Sequence, residues 1–112
     1  MSEEYFKSAT NRAEFDQLVA DAGSKPIFVD FYATWCGKCE LLKPELEAIA
    51  DSHKDKAVYI KVDVEENDEV AEEYQVECLP TLILLKGKDK QGEMKGSKFE
   101  NFKKFMEDHI SA

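Results

Sequence analysis

Positive charge is in short supply in this chain: across 112 residues, 15 lysines and arginines face 24 aspartates and glutamates, for a formal net charge of −9. A protein that grips nucleic acid or an anionic membrane needs a basic footprint to neutralise phosphates, so the charge argues against both partner classes. Cysteine is equally sparse. Three residues, a small and odd number, do not make the disulfide framework of a small secreted domain. Three prolines and five glycines leave no linker rich in either, and no internal repeat or low-complexity tract divides the chain. A single domain over 1–112 is expected, long enough to bury a hydrophobic core without disulfide staples or a structural metal. No apolar run approaches membrane-spanning length. The opening segment Met1-Ser2-Glu3-Glu4-Tyr5-Phe6-Lys7 is acidic and lacks the basic start and apolar stretch of a secretory signal. A cytoplasmic protein in a reducing compartment is the expectation. No Gly-rich nucleotide loop appears, and no bound cofactor is expected, since a pair of thiols can itself carry two electrons.

The acidic residues are unevenly placed. From Asp63 to Glu77 there are eight carboxylates (Asp63, Glu65, Glu66, Asp68, Glu69, Glu72, Glu73, Glu77) and no lysine or arginine. Such a run ordinarily forms a solvated face that aids solubility; the sharper reading is a face that biases which partners dock.

Helix and strand signals alternate along the chain. Tyr5 to Ser8 reads as a weak edge strand, and Phe15, Leu18, Val19 and Ala22 are spaced for an amphipathic helix over Asn11 to Ala22 that stops at Gly23. Pro26 to Ala33 is a continuous apolar run. Ile27, Val29 and Phe31 face one way, and Phe28, Asp30 and Tyr32 the other, so both faces want cover, as in a central strand between helices; Asp30 is then buried. Cys36 to Asp51 predicts a helix with Leu41, Leu42, Leu46, Ile49 and Ala50 inward and a kink at Pro44. Ala57 to Val64 alternates as a strand, Asn67 to Tyr74 is a short helix, and Thr81 to Lys86 is another apolar strand. A polar turn with Gly87 and Asp89 leads to a short strand, Gly92 to Gly96. The last helix points Phe99, Phe102, Phe105, Met106 and Ile110 inward and Lys103, Lys104, Glu107 and Asp108 outward. This order implies an α/β protein with three layers, a central mixed sheet of about five strands flanked by four helices. Parallel βαβ units lie at the front and an antiparallel hairpin at the back.

The chemistry centres on Trp35-Cys36-Gly37-Lys38-Cys39, two thiols two residues apart where the central strand hands over to a helix. In a reducing compartment such a pair is more readily catalytic or metal-binding than structural. Zinc would need two further ligands, and only Cys78, His53 and His109 remain, with no second Cys-x-x-Cys and no His pair at finger spacing. At the first turn of its helix, Cys36 meets unpaired N–H groups and the positive end of the helix dipole, which favour a thiolate. Cys36 is therefore the nucleophile, the more exposed of the two. Cys39, one turn deeper on the same side, resolves a mixed disulfide formed at Cys36. Inert core cysteines are the plain alternative.

The run Phe28-Val29-Asp30-Phe31-Tyr32-Ala33-Thr34-Trp35-Cys36-Gly37-Lys38-Cys39 and the later Cys78-Leu79-Pro80-Thr81 resemble the thioredoxin family. Pro44, the strand Lys61-Val62-Asp63-Val64, and Gly92 and Gly96 ahead of the last helix fall where that family places them, so the resemblance spans nearly the whole chain. The missing targeting segment and Cys78 beside Pro80 resemble the cytosolic eukaryotic type. The resemblance implies a protein disulfide reductase, an enzyme of thiol–disulfide exchange. Its partners would be oxidised proteins, for example peroxiredoxins and reductases. Its electrons would come from NADPH through thioredoxin reductase.

Residue roles follow from the same resemblance. Pro80 would be a cis-proline against the disulfide, although the sequence alone is equally open to a trans turn residue. Its neighbours would lend backbone groups to an extended substrate segment. Trp35 would cover the active-site edge, or simply pack. The docking rim would comprise Trp35, Leu79, Pro80 and Gly96, with Gly37 and Lys38 between the cysteines also meeting substrate. Asp30 would take or relay the proton of Cys39, with its pKa raised by burial; the alternative is a tolerated buried aspartate. Lys61 falls where some family members carry a buried lysine near that carboxylate, and is otherwise a surface residue.

Lys38 is the clearest departure, since the family usually has proline there. An ammonium beside Cys36 stabilises its thiolate and so the reduced form, which implies a less negative reduction potential. An exposed lysine screened by solvent is the plain reading. Cys78 would lie on the docking surface as a regulatory thiol, as a link between two copies of an otherwise monomeric chain, or as an idle residue. Two alternatives accompany the reductase: a more oxidising, isomerase-like protein, suggested by Lys38, and a binding module that holds a partner by its acidic 63–77 face.

Overall fold

A computed structural model describes residues 4–96 and 98–110. Met1 to Glu3, part of the segment read above for a targeting signal, lie outside the described residues, as do the far ends of the 1–112 span.

The elements follow the order read from the sequence: β1 (Lys7–Ser8), α1 (Arg12–Ala22), β2 (Ile27–Tyr32), α2 (Gly37–Ser52), β3 (Val58–Asp63), α3 (Asp68–Glu73), β4 (Thr81–Lys86), β5 (Asp89–Lys95) and α4 (Phe99–Ile110). They build one five-stranded sheet in the order β1-β3-β2-β4-β5. β1, β3 and β2 are parallel; β4 runs antiparallel to β2, and β5 runs antiparallel to β4. The expected mixed sheet with four helices is the architecture found.

The alternation of β2 sorts the core into two layers. Ile27, Val29 and Phe31 pack with Phe15 and Val19 of α1 and Val70 of α3, whereas Phe28 packs with Leu42 and Leu46 of α2 and Phe102 and Met106 of α4. A strand covered on both faces is apolar along its whole length, which is why this run reads as continuous. Asp30 interrupts it, on the α2 side of the sheet.

Several boundaries differ from the sequence reading for local reasons. Asn11 is the N-cap of α1, its side chain accepting from the Glu14 N–H at 2.9 Å, so the helix begins at Arg12. Asn67 and Tyr74 likewise cap α3 rather than belong to it; Asn67 is buried and donates from Nδ2 to the Ala9 carbonyl at 3.0 Å. The β4–β5 connection is shorter than expected. Asp89 pairs with Lys86 inside the hairpin, and Gly87, at φ +60°, takes the tight turn that a residue with a Cβ would resist. β5 therefore starts at Asp89, not Gly92, and β1 keeps only Lys7 and Ser8 of the expected Tyr5–Ser8.

One inward assignment in α2 is wrong. Leu41 is 78% exposed, while Cys39, Leu42, Leu46, Ile49 and Ala50 are the buried residues of that helix. Those five follow one face at steps of three and four, and Leu41, one residue ahead of Leu42, is turned about 100° off it. The helix runs through Pro44 to Ser52 without a break.

Candidate active site

α2 starts where β2 leaves the sheet, and its N-cap is Cys36 itself. The Cys36 backbone is extended (φ −87°, ψ 105°), and its sulfur accepts the Cys39 N–H at 3.2 Å. The cysteine thus takes the place that serine or aspartate occupies at other helix starts, one residue earlier than the sequence suggests. It sits against the free N–H groups and the positive end of the dipole. Charge left on this sulfur when a disulfide opens is stabilised there. Cys36 and Cys39 are joined in a disulfide, their Cα atoms 5.3 Å apart.

The two sulfurs were expected to differ in exposure; in fact Cys36 and Cys39 are 8% and 7% exposed. Their difference lies in what each residue faces. Cys36 lines an open groove of about 310 Å³ with Trp35, Val64, Val76, Glu77, Cys78 and Leu79. Cys39 lines a cavity of about 40 Å³ on the other side, with Phe6, Asp30, Lys43, Glu47 and Lys61. The cysteines divide the outside of the site from its inside.

Asp30 is partly accessible by surface and yet strongly desolvated. The two facts agree because the carboxyl borders that small cavity rather than open surface. Burial pushes its pKa from 3.8 up to about 7; Lys61 pulls it back, Glu47 pushes it further up, and Lys43 opposes. Lys61 stands beside Asp30 in the parallel register of β2 and β3, its side chain only 16% exposed. The sequence had left its role open, and the structure puts it on the cavity that Asp30 lines. Lys43 and Glu47 were not anticipated. Their signal was present: Cys39, Lys43 and Glu47 recur every four residues, which places them along one face of α2.

The expected docking residues are only partly brought together. Trp35, 68% exposed, flanks the Cys36 groove and is no core residue. Leu79 lines the same groove and packs against Ala33, Cys36 and Cys39. The Leu79–Pro80 bond is cis, and Pro80 is buried at the start of β4. Gly96 does not line the groove; continuing the Thr81–Lys95 register by one residue sets it across from Pro80. Gly37 is open, with no atom near the position a Cβ would take. Lys38 is exposed and turned the other way, into a shallow groove with Leu41, Leu42, Glu45 and Phe99. Among the described residues it has no ion-pair partner. Cys78 is a free, exposed thiol on the same groove as Cys36.

Three of the eight carboxylates in the acidic run make contacts within the fold. Arg12 of α1 pairs with Glu69 at 2.6 Å and with Glu73, and Asp63 accepts from the Glu65 and Glu66 N–H groups. Only Glu77 of the eight lines the Cys36 groove. As for zinc, among the described residues no group of three or more His, Cys, Asp or Glu side chains is placed to hold a metal ion.

A disulfide between cysteines two residues apart, at a strand-to-helix turn on a mixed sheet of this topology, is an arrangement suited to thiol–disulfide exchange. The family model described as Thioredoxin matches residues 6–108. Thioredoxin-T of Drosophila melanogaster is 35% identical over 99 residues, covering 88% of this chain and 63% of that protein. The chain thus matches under two thirds of that relative's length. A thioredoxin of Chlorobaculum thiosulfatiphilum is 34% identical over 107 residues, covering 95% of this chain and 96% of its own. A solved structure described as the basis of the thiol resolving mechanism in yeast mitochondrial 1-Cys peroxiredoxin via glutathione/thioredoxin systems superposes with a TM-score of 0.82 at 30% identity. It covers 95% of this chain and 99% of that one. The chain belongs to the thioredoxin family.

Proposed function

We propose that the protein is a disulfide reductase of other proteins, acting as one domain in the cytoplasm. The observation that carries the reading is the division of the two cysteines between groove and cavity. A substrate disulfide reaches Cys36 from the groove, with Trp35 and Leu79 beside it and the backbone around cis Pro80 free to pair with an extended segment. The Cys36 thiolate attacks one sulfur and forms a mixed disulfide, releasing the other as a thiol. Cys39 gives its proton to Asp30, directly or through a water in the polar cavity, attacks the Cys36 sulfur, and frees the reduced product. The chain ends oxidised, two electrons poorer.

Recharging it takes an external dithiol donor. The resemblance points to thioredoxin reductase drawing on NADPH, which makes the protein a link in electron transport and redox homeostasis. The relatedness to a structure concerned with a peroxiredoxin supports peroxiredoxins among its substrates. A reducing compartment also keeps the exposed Cys78 a thiol.

The test is a trap. Cys39→Ser, reduced and mixed with oxidised protein extract, should hold substrates as mixed disulfides at Cys36 that dithiothreitol releases, and the wild-type chain should reduce insulin. Failure of both would overturn the reading.

A further inference from the structure

The segment ahead of β1 runs beside the Asp30 cavity. Glu47 of α2 accepts the Tyr5 N–H at 2.7 Å and the Phe6 N–H at 3.3 Å, which ties that segment to the helix, and Phe6 forms part of the cavity wall. Glu4 then reaches two cations from different elements: Lys61 Nζ of β3 at 2.8 Å and Lys43 Nζ of α2 at 3.4 Å. Both lysines also line the cavity with Asp30. Both lysines thus stand between Asp30 inside the cavity, whose ionised form their charges favour, and Glu4 outside it, and in this structure both ion-pair with Glu4.

We propose that Glu4 is a positioning residue for disulfide exchange: by bridging Lys61 and Lys43 beside the cavity it holds both ammonium groups off Asp30 and leaves that carboxyl able to take the Cys39 proton. The proposal rests on the proton-acceptor role given to Asp30 above. The groups that line the cavity with Asp30 are Tyr32 on β2, Lys61 on β3, and Glu40, Lys43 and Glu47 on α2 with Cys39; Glu4 acts on it through the two lysines. Only the two lysines favour its ionised form. Without Glu4 they lose their counter-charge, Asp30 becomes their remaining anionic partner in the cavity with Glu47, and the aspartate ionises at lower pH.

The test uses the full chain and its Glu4→Gln, Lys61→Met and double variants. The Asp30 carboxyl is titrated by carbon-detected NMR from pH 4 to pH 9, and release of reduced product in single turnover is followed over the same range. Glu4→Gln should lower the Asp30 midpoint by about 0.5 to 1 pH unit, since an opposite charge nearby shifts a carboxylate by about 1 to 3 units and this bridge is partly exposed. The acid limb of the release profile should move down with it. In the Lys61→Met background the Glu4→Gln shift should fall to about half or less, because one of the two cations it acts through is gone. An unmoved midpoint, or an undiminished shift without Lys61, overturns the role of Glu4. A midpoint that moves while the release profile does not overturns the proposal from the other side, by showing that Asp30 is not the proton acceptor.

Discussion

Replacing Asp30 by asparagine should make the protein more stable, and increasingly so as pH rises. In the folded chain burial raises the Asp30 pKa from 3.8 to about 7. Below about pH 4 the carboxyl is protonated folded or unfolded and adds no pH dependence. Between about pH 4 and 7 the unfolded chain gives up the proton while the folded chain keeps it, so the folded state binds more protons and stability falls with rising pH. Each unit of that window costs about 1.4 kcal/mol, so three units give about 4 kcal/mol once pH exceeds 7. Asparagine fills nearly the same volume and cannot ionise. Urea unfolding of oxidised wild-type and Asp30→Asn protein at pH 5, 6, 7 and 8 reads the difference. The advantage of the variant should grow by about 1.4 kcal/mol per unit from pH 5 to 7 and level off by pH 8. Parallel stability curves would refute the desolvation argument, for they would mean that Asp30 ionises alike in both states.

Leu41 lies one position off the buried face that Leu46 occupies on α2, and mutation should show it. Leu41→Ser, at a site 78% exposed, should change stability by no more than about 0.5 kcal/mol, whereas Leu46→Ala, at 1% exposed, should cost about 2 to 5 kcal/mol in denaturant unfolding. Asn67→Ala removes the bond to the buried Ala9 carbonyl and should cost about 1 to 3 kcal/mol by the same measurement. Lys38→Pro removes an ammonium that is two residues from Cys36 in sequence but exposed and turned into another groove, so its effect acts through solvent, and glutathione titration should find a potential more negative by no more than about 10 to 30 mV; an unchanged or less negative value would remove Lys38 from the redox argument. Under mild oxidant, non-reducing gels should show a dimer band for the wild type that Cys78→Ser lacks, Cys78 being the free exposed thiol.

The sheet and its layers were legible because they rest on one-dimensional patterns. The alternation in Ile27–Tyr32 assigned each side chain to a face, and both core layers obey it. Leu41 was misjudged because an apolar residue beside Leu42 and Leu46 matches the composition of the buried face without matching its angle. In the site, the cysteine spacing and the strand-to-helix turn announced the disulfide, and the buried aspartate stood out as a charge in an apolar run. The partition between groove and cavity was hidden, since it depends on how Val64, Val76 and Leu79 on one side and Phe6 and Lys61 on the other close around one helix turn. Glu4 was hidden for the same reason: its two lysines are 39 and 57 positions away in sequence.

The pKa of Asp30 links what the fold loses to what the proposed reaction gains. An ordinary thiol titrates near 8.5 and an ordinary aspartate near 3.9, so moving a proton from the first to the second costs about 6 kcal/mol. With the aspartate at about 7, the same transfer costs about 2 kcal/mol. The difference of about 4 kcal/mol equals the stability that Asp30 removes above pH 7, because one desolvation sets both quantities. Raising Asp30 further would ease the transfer but leave the carboxyl protonated, and unable to accept, at neutral pH. Lowering it toward its ordinary value would restore stability and return the cost to the resolving step. Lys61 and Lys43 pull in the second direction and Glu47 in the first, so a pKa near neutrality is the compromise these side chains hold, and asparagine at position 30 should surrender the resolving step while it stabilises the fold.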